Sequence, residues 1–338
     1  MSLGVRCLDA APREWGALLE LDPDATPAHR PEVWSALAAA LPAMTPGVIA
    51  VEDNGRLIGG APFVIERRAG LAWIHALPFL LPGAPLALPG QGAAVDLMVA
   101  DAIATLQREL RTAGGEWACY RASGGAVATH ALEIPSGETR WVEAEVIDLS
   151  GGIEAARRAM GRKVRQGIAR TIREGLLCAA ESGALEEAYV LHVRQSRGWS
   201  AHRPLPLELS RRLIEANVAQ LVTARDRRGL LCAALALEGA RETFLWWSGA
   251  HEQARRSDAY AALLWWTAER AAERGCARLN LGASRGLIAI DAFKDALGAR
   301  RVRYPVRWLD ARHAPAAGRA IAAIQTWVRR GRSRGDAT

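Results

Sequence analysis

A chain that repeats its own hydrophobic pattern is constrained to build the same supersecondary unit twice, and this chain repeats one. Val48 to Ala61 (VIAVEDNGRLIGGA) matches Leu221 to Ala234 (LVTARDRRGLLCAA) in apolar pattern without a gap. Each segment is an apolar run, a polar turn and a second apolar run, which predicts an antiparallel hairpin. Continuing ungapped sets Trp73 against Trp246 at the end of a third strand. A helix follows in each copy (Val95–Thr112; Asp258–Arg274), then a glycine and a further strand (Trp117–Arg121; Ala277–Leu281). Hairpins followed by a strand–helix–strand passage predict the α/β class, a mixed α+β sheet with helices packed on it. At 338 residues with 50% hydrophobic content, the chain is long enough for two packed domains.

The formal net charge of +7 suits an anionic partner such as nucleic acid, phosphate or a membrane surface. Five cysteines are odd in number and widely spaced, with no C-x-x-C pair, so a reducing cytoplasm is expected. The opening MSLGVRCLDAAPREW lacks a basic start followed by an apolar run, and no secretion signal is expected. Ala69 to Val95 carries no Asp, Glu, Lys or Arg, but Pro78, Pro82, Pro85 and Pro89 would break a membrane helix. A buried strand (Leu71–Ala76) leading into an apolar loop is expected instead, with no transmembrane segment.

Between the copies, a strand (Val142–Leu149) precedes Ser150-Gly151-Gly152, which opens a helix predicted to run to about Glu174. Met160, Val164, Ile168 and Ile172 recur every four residues as one buried stripe. Its other faces carry Arg157, Arg158, Arg162, Lys163, Arg165, Arg170 and Arg173. Like charges at i, i+4 repel unless an anion offsets them, so Arg162 and Arg165 are candidate phosphate contacts, with a solvated face as the alternative. Helices over Leu185–Gln195 and Leu207–Ala216 flank a linker in which Trp199 and Arg203 are candidate substrate contacts. Trp246 and Trp247 are strand neighbours and must face opposite ways. Trp246 is taken as a second aromatic contact.

The segment Gly275–Leu309 reads as strand, glycine-bearing loop (Gly282–Gly286), short helix (Leu287–Leu297) stopped by Gly298, and last strand (Arg300–Leu309). Its helix holds Lys294, and lysine occurs elsewhere only at Lys163, although Lys plus Arg total 43. A compact ammonium whose pKa can shift is what arginine cannot replace. The plainer alternative is a surface lysine beside Asp295.

Asn280-Leu281-Gly282, the Gly286 turn, Phe293-Lys294, Leu297-Gly298 and Tyr304 together resemble the C-terminal end of the Fem-type aminoacyltransferases. Those enzymes and their acetyltransferase-like relatives are built from two tandem N-acyltransferase (GNAT) folds. The resemblance implies an N-terminal GNAT-like domain (1–148), a C-terminal one (149–310) and a basic amphipathic helix and tail (311–338). It implies transfer of an activated acyl group to an amine, with aminoacyl-tRNA as donor. Acyl-CoA is the alternative donor, and a non-catalytic RNA-binding or scaffold protein the alternative class. No permanently bound cofactor is implied. Phe293 and Lys294 inherit a role beside the donor, and Tyr260, Ser284, Arg285 and Tyr304 join the substrate-binding candidates. Asp291, Asp258, His251 and Tyr260 are candidate bases.

Acyl-CoA enzymes of this fold cradle pyrophosphate on a glycine-rich turn at a helix N-terminus. The second copy lacks the glycine, while Gly90-Gln91-Gly92-Ala93 in the first matches in part. The acceptor is left as a small molecule, saccharide or peptide bearing an amine. The Fem relatives that act on cell-wall precursors often carry a coiled-coil arm, and no long heptad insertion occurs here. Ala316–Arg330 is expected to dock on the domain, with RNA or a peripheral membrane contact as alternatives.

Overall fold

Both polar turns close hairpins in the computed structural model, which describes residues 3–79, 81–122, 138–197, 204–284 and 287–323. Asp53 pairs with Arg56 in the first copy and Asp226 with Gly229 in the second. The chain divides into two units, Met1–Val142 with Arg303–Thr338, and Glu143–Val302.

The first unit begins with β1 (Leu3–Leu8), α1 (Trp15–Leu21), α2 (Pro31–Ala40), β2 (Met44–Asp53) and β3 (Arg56–Arg68). It continues through β4 (Leu71–His75), β5 (Leu86–Ala87), α3 (Gly92–Leu110) and β6 (Gly115–Ala118). Strands β1 to β4 pair in order and antiparallel, β5 adds to β3, and β6 lies parallel to β4. Val95, Val99, Ile103 and Leu106 recur at helical spacing on α3 and bury against Ile49, Val51, Ile74 and Trp117. Each such buried aliphatic contributes roughly 1.5–3 kcal/mol, so this face holds the helix on the sheet.

The chain enters the second unit along β7 (Thr139–Asp148). There follow α4 (Ile153–Ala159), α5 (Arg162–Arg173), β8 (Leu177–Ala180), α6 (Leu185–Ser196) and α7 (Leu207–Glu215). The repeat then supplies β9 (Ala219–Asp226), β10 (Gly229–Glu238), β11 (Glu242–Ala250), α8 (Glu252–Arg256), α9 (Ala259–Glu273) and β12 (Arg278–Ala283). After α10 (Ile288–Ala296), β13 (Arg300–Leu309) leads back to the first unit. Strands β8 to β11 pair antiparallel, and β12 lies parallel to β11 as β6 does to β4. Small residues Ala259, Ala262 and Ala271 let α9 pack closely over Val222, Ala234 and Leu279.

Each copy is closed by a strand from the other half of the sequence. Antiparallel β13 pairs with β6 through Val306–Leu309, and antiparallel β7 pairs with β12 through Asp148–Ala144. Residues 303–310, expected with the second domain, are therefore grouped with the first, and 143–148 with the second. Local patterning cannot show this, because a strand reads the same whichever partner accepts it.

Three expectations need correcting. The arginine-rich helix is two helices, broken where Met160 and Gly161 adopt extended ψ values of 140° and 139°. At the break the Gly161 N–H donates to the Ala296 carbonyl at 2.9 Å. Gly298, at φ +82°, closes the fit, since a Cβ there would come within 2.9 Å of the Ala159 carbonyl carbon. The apolar stripe also ends early, for Ile168 is buried and Ile172 is 53% exposed. Finally, the repeat needs a gap after the first hairpin. The Ala113 N–H donates to Ala72 and the Ala277 N–H to Arg241, so Trp73 stands in the place of Glu242 rather than of Trp246.

Candidate active site

The second unit buries a chain of polar groups that runs from β11 to α10. Glu242, the first residue of β11, lies beside the parallel strand β12 and accepts from two of its side chains. Arg278 Nε donates to Glu242 Oε2 at 2.6 Å, and Asn280 Nδ2 to Oε1 at 3.1 Å. Arg278 and Asn280 share one face of β12 because they are two residues apart. Asn280 Oδ1 in turn accepts the Gly282 N–H at 2.8 Å. The Gly282 carbonyl accepts from Lys294 Nζ at 2.8 Å, and Glu145 Oε2 on β7 accepts from the same nitrogen at 2.8 Å. Ser284 Oγ completes the chain by donating to Glu145 Oε1 at 2.9 Å.

Lys294 is only 7% exposed, and Asp295 pairs with Arg301 instead, which removes the reading of a surface lysine paired with its neighbour. Burial pulls the ammonium's pKa below its ordinary value of 10.5, and the hydrogen bond and charge of Glu145, with a smaller contribution from Asp291, oppose that shift. Beside it, Phe293 stacks on Tyr260 with ring centroids 5.8 Å apart and planes at 21°. The Tyr260 hydroxyl donates to Ser248 Oγ at 3.0 Å, and burial pushes its pKa up to about 12. Tyr260 is thus held as a hydrogen-bond donor to Ser248.

The other candidates fall in several places. Arg165, expected on phosphate, donates to the carbonyls of Arg157, Arg158 and Met160 and so caps the end of α4. Arg162 is exposed at the first turn of α5. Tyr304 is buried in the first unit, edge-on to Tyr120 at 5.3 Å. Trp246 is partly buried, whereas Trp247 turns inward, donates to Ser210 Oγ and lies 4.9 Å from the His192 ring. Trp199, Arg203, Arg285 and the Gly286 turn lie outside the described residues, as does the C-terminal helix beyond residue 323.

Glu145, Glu242 and Arg278 were not foreseen as site residues. The signal was present in Ala144-Glu145-Val146-Ile147, where one acid sits within a short apolar run of the strand. A buried carboxylate in that setting requires a partner.

The start of α9 does not suit a pyrophosphate. Asp258 occupies it in the left-handed region (φ 56°), and Arg170 Nη2 lies 3.1 Å from its Oδ2. Gly167 on α5 faces the same carboxylate so closely that a Cβ would sit 2.3 Å from Oδ2. Thr171 donates to the Ser257 carbonyl just before it. The helix start is thus already occupied by a carboxylate paired with Arg170. In the first unit the turn before α3 is open, with nothing within 4 Å of a Cβ built on Gly90 or Gly92.

Residues 155–295 match the acetyltransferase (GNAT) domain family. The second unit therefore carries a GNAT-type acyltransferase domain over those residues. Its fold is similar to the crystal structure of FemX, with a TM-score of 0.69 at 10% identity over 89% of this chain and 96% of that one. A tandem GNAT protein from the clavulanic acid biosynthesis pathway gives a TM-score of 0.54 at 14% identity, over 93% and 100%. The C-terminal domain of a putative lysylphosphatidylglycerol synthetase from Agrobacterium fabrum gives 0.53 at 13% identity, over 93% and 96%. No curated protein matches the chain in sequence. The matched family segment includes Lys294 and begins after Glu145. Among the described residues, no helix is long and apolar enough to cross a membrane.

Proposed function

We propose that this GNAT acyltransferase moves an aminoacyl group from aminoacyl-tRNA to an amine acceptor, with Lys294 as the catalytic cation of the second unit. The amine attacks the ester carbonyl, a C–N bond forms, the ester C–O bond breaks, and the tRNA ribose leaves as its hydroxyl, the proton lost by the amine reaching that oxygen directly or through solvent. Charge gathers on the carbonyl oxygen in the transition state, where a fixed donor is most effective. The observation that carries the reading is the Lys294 ammonium, held by Glu145 and the Gly282 carbonyl at 2.8 Å each. An ammonium has three donors, and these acceptors use two. Phe293, stacked on Tyr260, provides an aromatic wall next to it. The carboxylate at the start of α9 argues against CoA as the donor in this unit.

Acyl-CoA is the second reading, favoured by the acetyltransferase family match and by the open glycine turn before α3. The two readings separate on a single assay. The protein is offered charged tRNA or acetyl-CoA with a panel of amines, and products are read by mass spectrometry. Lys294→Ala is expected to reduce aminoacyl product formation by roughly 10²–10³, measured where the variant is folded, and to lower the melting temperature because Glu145 stays buried without its cation. Lys294→Arg should not restore it, because a planar guanidinium cannot occupy the point of an ammonium. Full turnover by Lys294→Ala would overturn the assignment.

A further inference from the structure

We propose that Glu145, supplied by β7, is the positioning residue that fixes the Lys294 ammonium as a cation across a bulge in β12. The inference rests on the reading of Lys294 given above. Pairing of β7 with β12 places Val146 opposite Asn280 and Ala144 opposite Ala283. Leu281 and Gly282 therefore stand against Glu145 alone, two residues against one. Such a bulge leaves a residue outside the ladder and re-aims its groups.

Gly282 takes φ +70°, which turns its carbonyl to Lys294 while its N–H is held by Asn280. The ammonium thus bridges the two strands where the ladder is interrupted, with a backbone carbonyl on one side and a carboxylate on the other. Both oxygens of Glu145 are engaged, one by Lys294 and one by Ser284, which fixes the carboxylate's plane as well as its distance. Glu145 is itself 2% exposed, so water does not compete for the pair. The charged groups acting on Lys294 are Glu145 from β7 and Asp291 on its own helix, while Asp295 is turned to Arg301. Glu145 is the one that both charges and orients it.

Lysine occurs only at 163 and 294, so NMR of protein labelled at lysine Nζ follows each amine separately. In Glu145→Gln the titration of Lys294 is expected to move to lower pH, because a carboxylate that favoured the charged form is gone. Circular dichroism of the variant serves as the control for folding. Glu145→Asp keeps the charge and should retain most of the titration position, so it covers the case in which the amide variant fails to fold. In the transfer assay Glu145→Gln should lower kcat about 10-fold or more with KM little changed, and should add no further loss to Lys294→Ala. An unchanged Lys294 titration in folded Glu145→Gln, or kcat losses that add fully with Lys294→Ala, would overturn the role of Glu145. Full turnover by Lys294→Ala would instead overturn the underlying assignment of the lysine, so the two failures are distinguishable.

Discussion

In the first unit three buried polar side chains serve the backbone of one apolar loop, whereas in the second a linked set of buried polar side chains ends on a lysine. The apolar loop before α3 has few ladder partners, so three side chains from the segment after α1 satisfy it. Asp22 accepts from the Ala87 N–H, Thr26 donates to the Pro82 carbonyl, and His29 Nε2 bonds the Ala84 carbonyl. These bonds explain how a stretch rich in proline can be buried with only the two-residue β5 as regular structure. At the equivalent edge of the second unit, Glu242 takes the place that Trp73 has in the first, and the polar chain to Lys294 starts there.

The largest expected stability effect breaks the second unit's chain at its root. Glu242→Ala leaves Arg278 buried without its carboxylate, and a loss of roughly 3–5 kcal/mol is expected by denaturant unfolding. A loss below 1 kcal/mol would mean that water or another group replaces the acid.

A slightly smaller effect belongs to the first unit and to pH. His29 is fully buried, and burial lowers its pKa to about 4 from an ordinary 6.5. The Thr26 N–H donates to Nδ1, so the neutral ring with its proton on Nε2 is the form that fits. The unfolded chain binds this proton first as pH falls, so the stabilisation is full above about 6.5 and is lost progressively toward 4. About 3 kcal/mol should disappear over that window, and His29→Gln should flatten the stability curve there. An unchanged curve would remove His29 from the clamp.

The smallest effect concerns the arginine helices. Arg162→Ala should reduce the salt slope of RNA binding by about one contact's worth, while Arg165→Ala should leave the slope and lower stability through the lost carbonyl caps. Equal slopes for both variants would return α5 to a solvated face.

Much of this was legible in the sequence, and for identifiable reasons. The hairpins followed from apolar runs around Asp53-Asn54-Gly55 and Asp226-Arg227-Arg228, and Lys294 stood out because arginine had replaced nearly every other lysine. What sequence could not show was pairing between distant segments. Glu145 and Lys294 are 149 positions apart and meet only because β7 closes the second unit. The broken helix was hidden because a single glycine at 161 is tolerated in a helix, and only its contact with Ala296 makes it a turn. Arg165 read as a ligand contact because nothing local reveals that its guanidinium folds back on α4.

The proposed role of the second unit's buried lysine in stabilising acyl transfer from aminoacyl-tRNA can be broken in one experiment. The most direct measurement compares wild-type protein and Lys294→Ala, each with charged tRNA and with acetyl-CoA, against one panel of amines under single-turnover conditions. An aminoacylated product from charged tRNA is expected, its rate falling by roughly 10²–10³ in the variant at a temperature where the variant remains folded. Full turnover by the folded variant, or product from acetyl-CoA alone, would contradict it.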